Sequence, residues 1–217
     1  IPVGDIDYAR LNIIHKYYEP IWRDLVFGFN IEGGYTKAFG DTNETPFFQN
    51  FYAGGPRSLR GFESNTLGPR STNPPCFEFN YSEGVCPNLV DIDGDDIPDI
   101  PLANPYANSE YRNRVSIGGN IKIEGSMQLI FKLPFIEDQR SMRSAFFFDF
   151  GNVFSSNCKD YQFNCYDVSI DDMRYSYGVG ITWLTGFGPM SFAIANPVNA
   201  GLYERTKEFQ FTIGNVF

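Results

Sequence analysis

The chain has 217 residues, a formal net charge of −9 and an aromatic content of 17%, with 22 Phe and 13 Tyr. The acidic balance argues against nucleic acid as a partner, and no run of about 18 apolar residues exists that could form a transmembrane helix. Many aromatic residues and 21 glycines without a long apolar run are instead typical of a membrane β-barrel, with a soluble β-sandwich as the alternative.

Seven segments with alternating apolar and polar residues predict β-strands, because successive side chains of a strand point to opposite faces. In chain order these segments cover about residues 7–18, 25–36, 121–131, 145–151, 173–183, 190–195 and 209–217. The apolar face of the fifth and clearest segment consists of Met173, Tyr175, Tyr177, Val179, Ile181 and Trp183. Its other face is mostly Gly, Ser and Thr, which suits the lumen wall of a barrel better than the charged exterior of a soluble sandwich.

Short and long connections alternate between these segments. The short ones read EPIW, LPFIEDQRS and TGFGP, and the longer ones cover about residues 38–116, 153–172 and 197–207. Bacterial outer-membrane barrels have short turns on the periplasmic side and long loops at the outer surface. The pattern therefore predicts an all-β transmembrane antiparallel β-barrel in the bacterial outer membrane. Because such a barrel has an even number of strands, we expect the seven segments of residues 1–217 to form the C-terminal portion of a larger barrel.

The longest connection contains FYAGGPRSLRGFESNTLGPR, residues 51–70, in which Arg60 lies between Leu59 and Gly61 and is followed closely by Phe62. An arginine in a loop is commonly solvated. Inside a barrel it needs a carboxylate or water, since an unpaired buried charge is very costly. The residues of the loop alone leave both interpretations open.

Further along the same connection, residues 91–99 read DIDGDDIPD and alternate carboxylates around a glycine. The candidate oxygen ligands for a hard cation such as Ca²⁺ are the side chains of Asp91, Asp93, Asp95 and Asp99 and the carbonyl of Ile97. The run resembles a thrombospondin type 3 calcium repeat, except that Asp96 replaces the usual glycine after the third aspartate. An EF-hand is excluded because its glycine is misplaced and position 102 is Leu. The alternative is a hydrated acidic loop; in either case it would face lipopolysaccharide, whose phosphates are bridged by divalent ions.

The four cysteines fall in two close pairs, Cys76 with Cys86 and Cys158 with Cys165. An even count in two separate irregular stretches predicts two local disulfides and an oxidising compartment. The alternative is that the cysteines bind zinc, but no histidine lies near either pair to complete such a site.

The single histidine, His15, lies in the first predicted strand. A Ser-His-Asp hydrolase would have to use it, and no G-x-S-x-G motif or other clear serine motif accompanies it. We therefore predict that the chain is not an enzyme and that His15 is a strand residue near a membrane interface.

Four stretches together resemble the BamA family of outer-membrane assembly barrels, within a superfamily that includes TamA and the two-partner secretion transporters. They are FFQNFYAGG with LRGFESNTLGP in residues 47–69, FFFDFGNVF in 146–154, LTGFGPMSFAIANP in 184–197 and FQFTIGNVF in 209–217. The family signature is the Arg-Gly-Phe/Tyr tip of the sixth extracellular loop, which is Arg60, Gly61 and Phe62 here.

The resemblance implies a sixteen-stranded family barrel, of which this chain is similar to strands ten to sixteen, with loop six at about residues 38–116. The family's periplasmic POTRA domains and first barrel strands are absent from the sequence. In the family, loop six folds into the lumen and its arginine contacts acidic groups, a role that falls to Asp149 on the polar face of its strand. Gln128 stands where the family has a second acidic residue, and Glu124 on the same face is a candidate substitute.

The implied function is that of an insertase, which folds outer-membrane proteins through a lateral seam between the first and last strands without a covalent step. The residues assigned to the seam strand and the C-terminal sorting signal are Phe209, Phe211, Ile213, Gly214 and Phe217. Gly214 either allows a kink or is an ordinary lumen glycine.

The implied partners are the lipid bilayer, lipopolysaccharide, unfolded outer-membrane proteins and assembly lipoproteins, without nucleic acid. No cofactor is required beyond the candidate Ca²⁺ in loop six. In this truncated form the chain is expected to pair with missing strands or with a second copy. The alternatives are a two-partner secretion or TamA-like transporter and, in another class, a passive porin or structural barrel.

Overall fold

One seven-stranded antiparallel sheet forms most of the structure, a computed structural model. The structure describes residues 6–42, 44–71, 89–90, 100–101, 116–133, 141–158, 162–186, 188–201 and 204–214. The strands are β1 (Tyr8–Trp22), β2 (Leu25–Ala38), β3 (Ile121–Phe131), β4 (Met142–Phe154), β5 (Arg174–Thr185), β6 (Gly188–Pro197) and β7 (Phe209–Ile213). Each strand pairs with the next along the chain, so the order in the sheet is the order in the sequence. The predicted all-β antiparallel fold is confirmed.

The other elements are short and belong to the connections. They are a 3₁₀ helix at Phe47–Gln49 and two-residue strands at Gly61–Phe62, Arg70–Ser71, Leu89–Val90, Ile100–Pro101, Gln162–Phe163 and Thr206–Lys207. In the part of the chain that the structure describes, no helix has the length and hydropathy needed to span a bilayer.

The two faces of the sheet differ in the way that the alternation predicts. The exposed large side chains on the outer face include Tyr35, Phe146, Phe148, Tyr177, Trp183, Phe192, Phe209 and Phe211. The inner face carries small or polar side chains that are buried, among them Ser126, Ser144, Asp149, Ser176, Ala193, Ala195 and Gln210. An aromatic outer face suits lipid, and the small inner residues leave room for the returning loop.

The first strand is longer than its pattern predicts. Pairing with β2 continues past residue 18 through Glu19 and Pro20 to Trp22, so all of EPIW belongs to the strand instead of the turn. The register shifts between Pro20 and Trp22. Proline lacks the N–H that a ladder hydrogen bond needs, so the sequence pattern indicates a turn at Pro20. An edge strand such as β1 tolerates proline, because one of its two sides has no neighbouring strand to bond.

The core of the molecule lies between the loop and the inner face of the sheet. The buried apolar cluster consists of Phe51, Ala53, Leu59, Phe62, Leu67 and Val153, of which only Val153 belongs to the sheet. Isolated bridges join Phe51 to Gly119 and Ala53 to Leu67. The loop is therefore packed as an inner layer, and this packing fixes the position of its tip.

Candidate functional site

The centre of the site is the contact between Arg60 at the loop tip and Asp149 on β4. Arg60 Nε donates to Asp149 Oδ2 at 2.7 Å, and Arg60 Nη2 donates to Asp149 Oδ1 at 2.7 Å. The backbone N–H of Arg60 also donates to Asp149 Oδ2, at 3.2 Å. The Asp149 side chain is 0% exposed and the Arg60 side chain 16% exposed. A two-point ion pair of this geometry fixes both the distance and the orientation of the loop tip.

Two neighbours complete the seat of the guanidinium. Ser126 on β3 accepts from Arg60 Nη2 at 3.1 Å and donates to Asp149 Oδ1 at 2.6 Å. The guanidinium carbon lies 3.4 Å from the ring centroid of Phe147, which points inward from β4. The ring supplies a cation–π contact on the apolar side of the charge. Neither residue was predicted as part of the site, although both stand at inward positions of the alternation.

The two other predicted lumen partners, Gln128 and Glu124, form their hydrogen bonds and ion pairs with residues other than Arg60. Gln128 Nε2 donates to Ser126 Oγ at 3.2 Å and so supports the guanidinium site through Ser126. Glu124 accepts a hydrogen bond from Ser58 Oγ and pairs with Lys122 Nζ at 2.8 Å. Ser58 Oγ also accepts from the N–H of Gly54 at 3.0 Å. Glu124 therefore anchors the loop at Ser58, two residues before Arg60, as a second attachment point.

Gly61 and Phe62 occupy positions that their residue types explain. Gly61 has φ +88°, and a Cβ there would lie 3.2 Å from Ala195 Cβ. Its glycine allows both the left-handed backbone and the close approach to β6. Phe62 is fully buried in the core cluster. The tip is therefore held by an ion pair on one side of Gly61 and by apolar packing on the other.

A fully buried arginine, Arg70, stabilises the base of the loop. Its Nη2 donates to the Thr66 backbone carbonyl and, at 3.0 Å, to Thr66 Oγ1. Burial lowers the pKa of Arg70 from its ordinary value, and the charge of Glu204 opposes this effect. The guanidinium stays protonated, because arginine has a very high ordinary pKa. No pattern in the sequence predicts a buried Arg70, which follows directly after the family-like stretch of residues 47–69.

The cysteine and calcium predictions fall partly inside the described structure. Cys158 and Cys165 form a disulfide with an S–S length of 2.04 Å and a Cα–Cα distance of 5.6 Å. The predicted Cys76–Cys86 pair and the candidate cation ligands Asp91, Asp93, Asp95, Ile97 and Asp99 lie outside the described residues. Among the residues that are described, no group of three or more His, Cys, Asp and Glu side chains is placed to hold a metal ion.

The candidate seam residues lie on or just beyond the last strand. Phe209, Phe211 and Ile213 are exposed on the outer face of β7, and Phe217 lies outside the described residues. Gly214 follows the strand with φ +104° and donates its N–H to the Pro189 carbonyl at 2.9 Å. This φ favours glycine, so the backbone turns at Gly214. His15 lies exposed in β1 and is paired with Ile31.

Comparison with known proteins connects this geometry to a family. The sequence model described as the Omp85 superfamily domain matches residues 1–217. The chain is 28% identical over 233 residues to the outer membrane protein assembly factor BamA of Neisseria meningitidis, covering 100% of this chain and 25% of that protein. It is 24% identical over 187 residues to the sorting and assembly machinery component 50 homolog of Mus musculus, covering 84% of this chain and 31% of that protein.

A solved structure agrees with these sequence matches. The crystal structure of BamA from Haemophilus ducreyi lacking POTRA domains 1–3 has a TM-score of 0.70 and 26% identity, covering 97% of this chain and 35% of that chain. The chain thus spans about a quarter to a third of the length of the proteins that it matches.

Proposed function

Because the chain belongs to the Omp85 superfamily, we propose that it takes part in assembling β-barrel proteins in the bacterial outer membrane. It is an outer-membrane β-barrel protein of the BamA type. Two similar proteins are named for assembly: one is an outer membrane protein assembly factor, and the other is a component of the sorting and assembly machinery. The proposed clients are unfolded outer-membrane proteins, with lipopolysaccharide and assembly lipoproteins as further partners.

The proposed mechanism is insertion through a lateral seam, with β7 on one side of it. Within the described residues β7 pairs only with β6, from Phe209 opposite Ile194 to Ile213 opposite Met190. The outer edge of such a strand presents N–H and C=O groups that another strand can satisfy. An incoming client strand pairing there is an instance of β-augmentation. The protein supplies a template edge, and no covalent step is needed.

The observation that carries this proposal is the loop held against the inner wall by Arg60 and Asp149. A passive porin needs an aqueous passage, whereas residues 51–67 supply most of a buried apolar cluster on the inner face. The anchored loop favours an assembly barrel over a porin. A secretion transporter of the same superfamily would share the loop, so the experiment has to separate these two functions.

The test uses the native protein reconstituted in liposomes together with an unfolded outer-membrane β-barrel client. Folding of the client is followed by its heat-modifiable mobility on gels, and translocation of a soluble secreted client is followed by protease protection. We expect accelerated client folding, with Asp149→Asn reducing the rate and Asp171→Asn, the same change at an exposed aspartate between β4 and β5, leaving it unchanged. Solute conductance without client folding would support the porin, and translocation without folding would support the transporter.

A further inference from the structure

We infer that Gln210 and the connection between β6 and β7 form a clasp that couples the last strand to the loop tip, so that neither moves alone. The clasp is separate from the Arg60–Asp149 ion pair. It rests on contacts of Gln210, of residues 204–207 and of Arg174, and it does not depend on the proposed function.

Gln210 joins the last strand directly to the backbone of the tip. Its Nε2 donates to the Phe62 carbonyl at 2.6 Å, and its Oε1 accepts from the Gly61 N–H at 3.4 Å. The side chain is only 3% exposed. A primary amide is suited to this task, since it offers a donor and an acceptor side by side. Gly61 and Phe62 are both buried, so a hydrogen bond lost there is not replaced readily by one to water.

The connection before β7 extends the same attachment. Thr206 and Lys207 pair with Phe62 and Gly61 in a short antiparallel ladder. The Glu63 N–H donates to the Arg205 carbonyl at 2.9 Å, and the Arg205 N–H donates to Thr66 Oγ1 at 2.9 Å. The tip is thus held along its backbone, which makes the attachment insensitive to the side chains at positions 206 and 207.

A buried ion pair holds that connection to the sheet. Arg174 Nε, at the start of β5, donates to Glu204 Oε2 at 2.6 Å, and the two side chains are 7% and 0% exposed. The Gly201 N–H donates to the same oxygen at 2.7 Å. Residues 204–207 therefore have a fixed base on β5 and cannot follow the tip or the strand freely.

The position of these contacts gives the clasp its consequence. Within the described residues, β7 is an edge strand with five ladder positions on β6, so few backbone bonds hold it. The paired bonds of Gln210 are a large addition to that short ladder. If β7 moves away, Gly61 and Phe62 lose their hydrogen bonds to Gln210. If the tip moves away, Gln210 loses the same two hydrogen bonds. Such coupling is reciprocal by thermodynamic necessity.

The test measures hydrogen exchange in the native protein in lipid nanodiscs, at amides that the substituted residue does not touch. Gln210→Met removes both hydrogen bonds and retains the length of the side chain. We expect exchange at the Glu63 amide to rise by roughly 5- to 30-fold, the range expected for one or two lost bonds. Thr212→Val is the matched control on the same strand and face and should leave Glu63 unchanged.

The reciprocal variant is Arg60→Ala, read at the amides of Phe209–Ile213. We expect their exchange to rise severalfold while residues in the middle of β2 keep wild-type exchange. Should Gln210→Met fail to fold, Gln210→Asn keeps the amide but shortens the side chain by one methylene, so it cannot reach Gly61 and Phe62 as Gln210 does, and a rise at Glu63 is again expected. Unchanged Glu63 exchange in the Gln210 variant, an equal rise in Thr212→Val, or unchanged β7 exchange in Arg60→Ala would overturn the inference.

Discussion

At the scale of single residues, Arg60 is where the loop depends most on charge. If the ion pair with Asp149 were fully buried, removing one member would lower the free energy of unfolding by about 3–5 kcal/mol. If the pair were fully exposed to solvent, the loss would be about 0–1 kcal/mol. Arg60 lines a polar pocket of about 430 Å³ on the inner face, while Asp149 is fully buried. We therefore expect Arg60→Ala to cost about 1–3 kcal/mol, mostly in the position of the loop.

The measurement is exchange at the Gly54 and Leu67 amides together with the client-folding rate. Arg60→Ala should speed exchange in the loop and slow client folding while β2 to β6 stay paired. Arg60→Lys should restore the behaviour only in part, since lysine lacks the planar fork that binds both carboxylate oxygens. Full restoration by lysine would show that charge alone suffices.

The calcium prediction also belongs to this scale, although its residues lie outside the described structure. Four aspartates at alternating positions and one carbonyl offer oxygen ligands of the type that Ca²⁺ prefers. Calorimetry of the native protein with Ca²⁺ should show binding heat that is lost in Asp93→Ala. The absence of heat at millimolar Ca²⁺ would leave a hydrated acidic loop.

The partners of these residues were predictable to different degrees. Asp149 follows from its place on the polar face and from the resemblance. The roles of Glu124 and Ser126 did not follow, because they depend on which residues face each other across neighbouring strands. Ser126 lies directly opposite Asp149 in the register of β3 and β4. Register across strands is invisible in one strand's alternation.

At the scale of elements, the buried pair of Arg174 and Glu204 allows a comparison with an exposed pair in the same connection. Glu204→Gln leaves the Arg174 charge buried without its carboxylate, and we expect a loss of about 3–5 kcal/mol. Arg205 pairs with Glu63 at 3.0 Å with side chains 52% and 32% exposed, so Arg205→Gln should cost about 0–1 kcal/mol.

Unfolding of both variants in detergent, followed by circular dichroism at rising denaturant, gives the comparison. Equal midpoints for the two variants would contradict the ranking, because they would mean that burial adds nothing to the Arg174 pair.

The strands were predictable because their alternation is strong, and the connection that holds the tip was not. Residues 204–207 show no alternation of apolar and polar side chains that would predict a strand. Their conformation depends on contacts with Gly61, Phe62 and Arg174. Pairings between segments far apart in sequence carry no local signal. The end of β1 was missed for a related reason, because the pattern reads Pro20 as a turn residue.

At the scale of the whole molecule, the sheet has two edges within the described residues, β1 and β7, and this arrangement governs how the chain behaves alone. β1 has 15 residues, of which alternate ones direct backbone groups away from β2. In lipid or detergent each unsatisfied group costs several kcal/mol, so the edges are strongly driven to pair. A barrel of seven strands would also have to join β1 to β7 in parallel, against the up-and-down order of the others.

We therefore expect a polypeptide of residues 1–217, expressed alone and refolded in detergent, to associate through its edges with a second copy or more. Light scattering combined with size-exclusion chromatography measures the number of chains in each micelle. The control carries Ile14→Pro and Phe211→Pro, one substitution on each edge strand at a residue whose backbone N–H points away from the neighbouring strand, because proline removes that donor and disfavours pairing. Association should weaken in this variant. A monodisperse wild-type monomer with β1 and β7 protected from exchange would show that the sheet closes on itself, and that the edges need no partner.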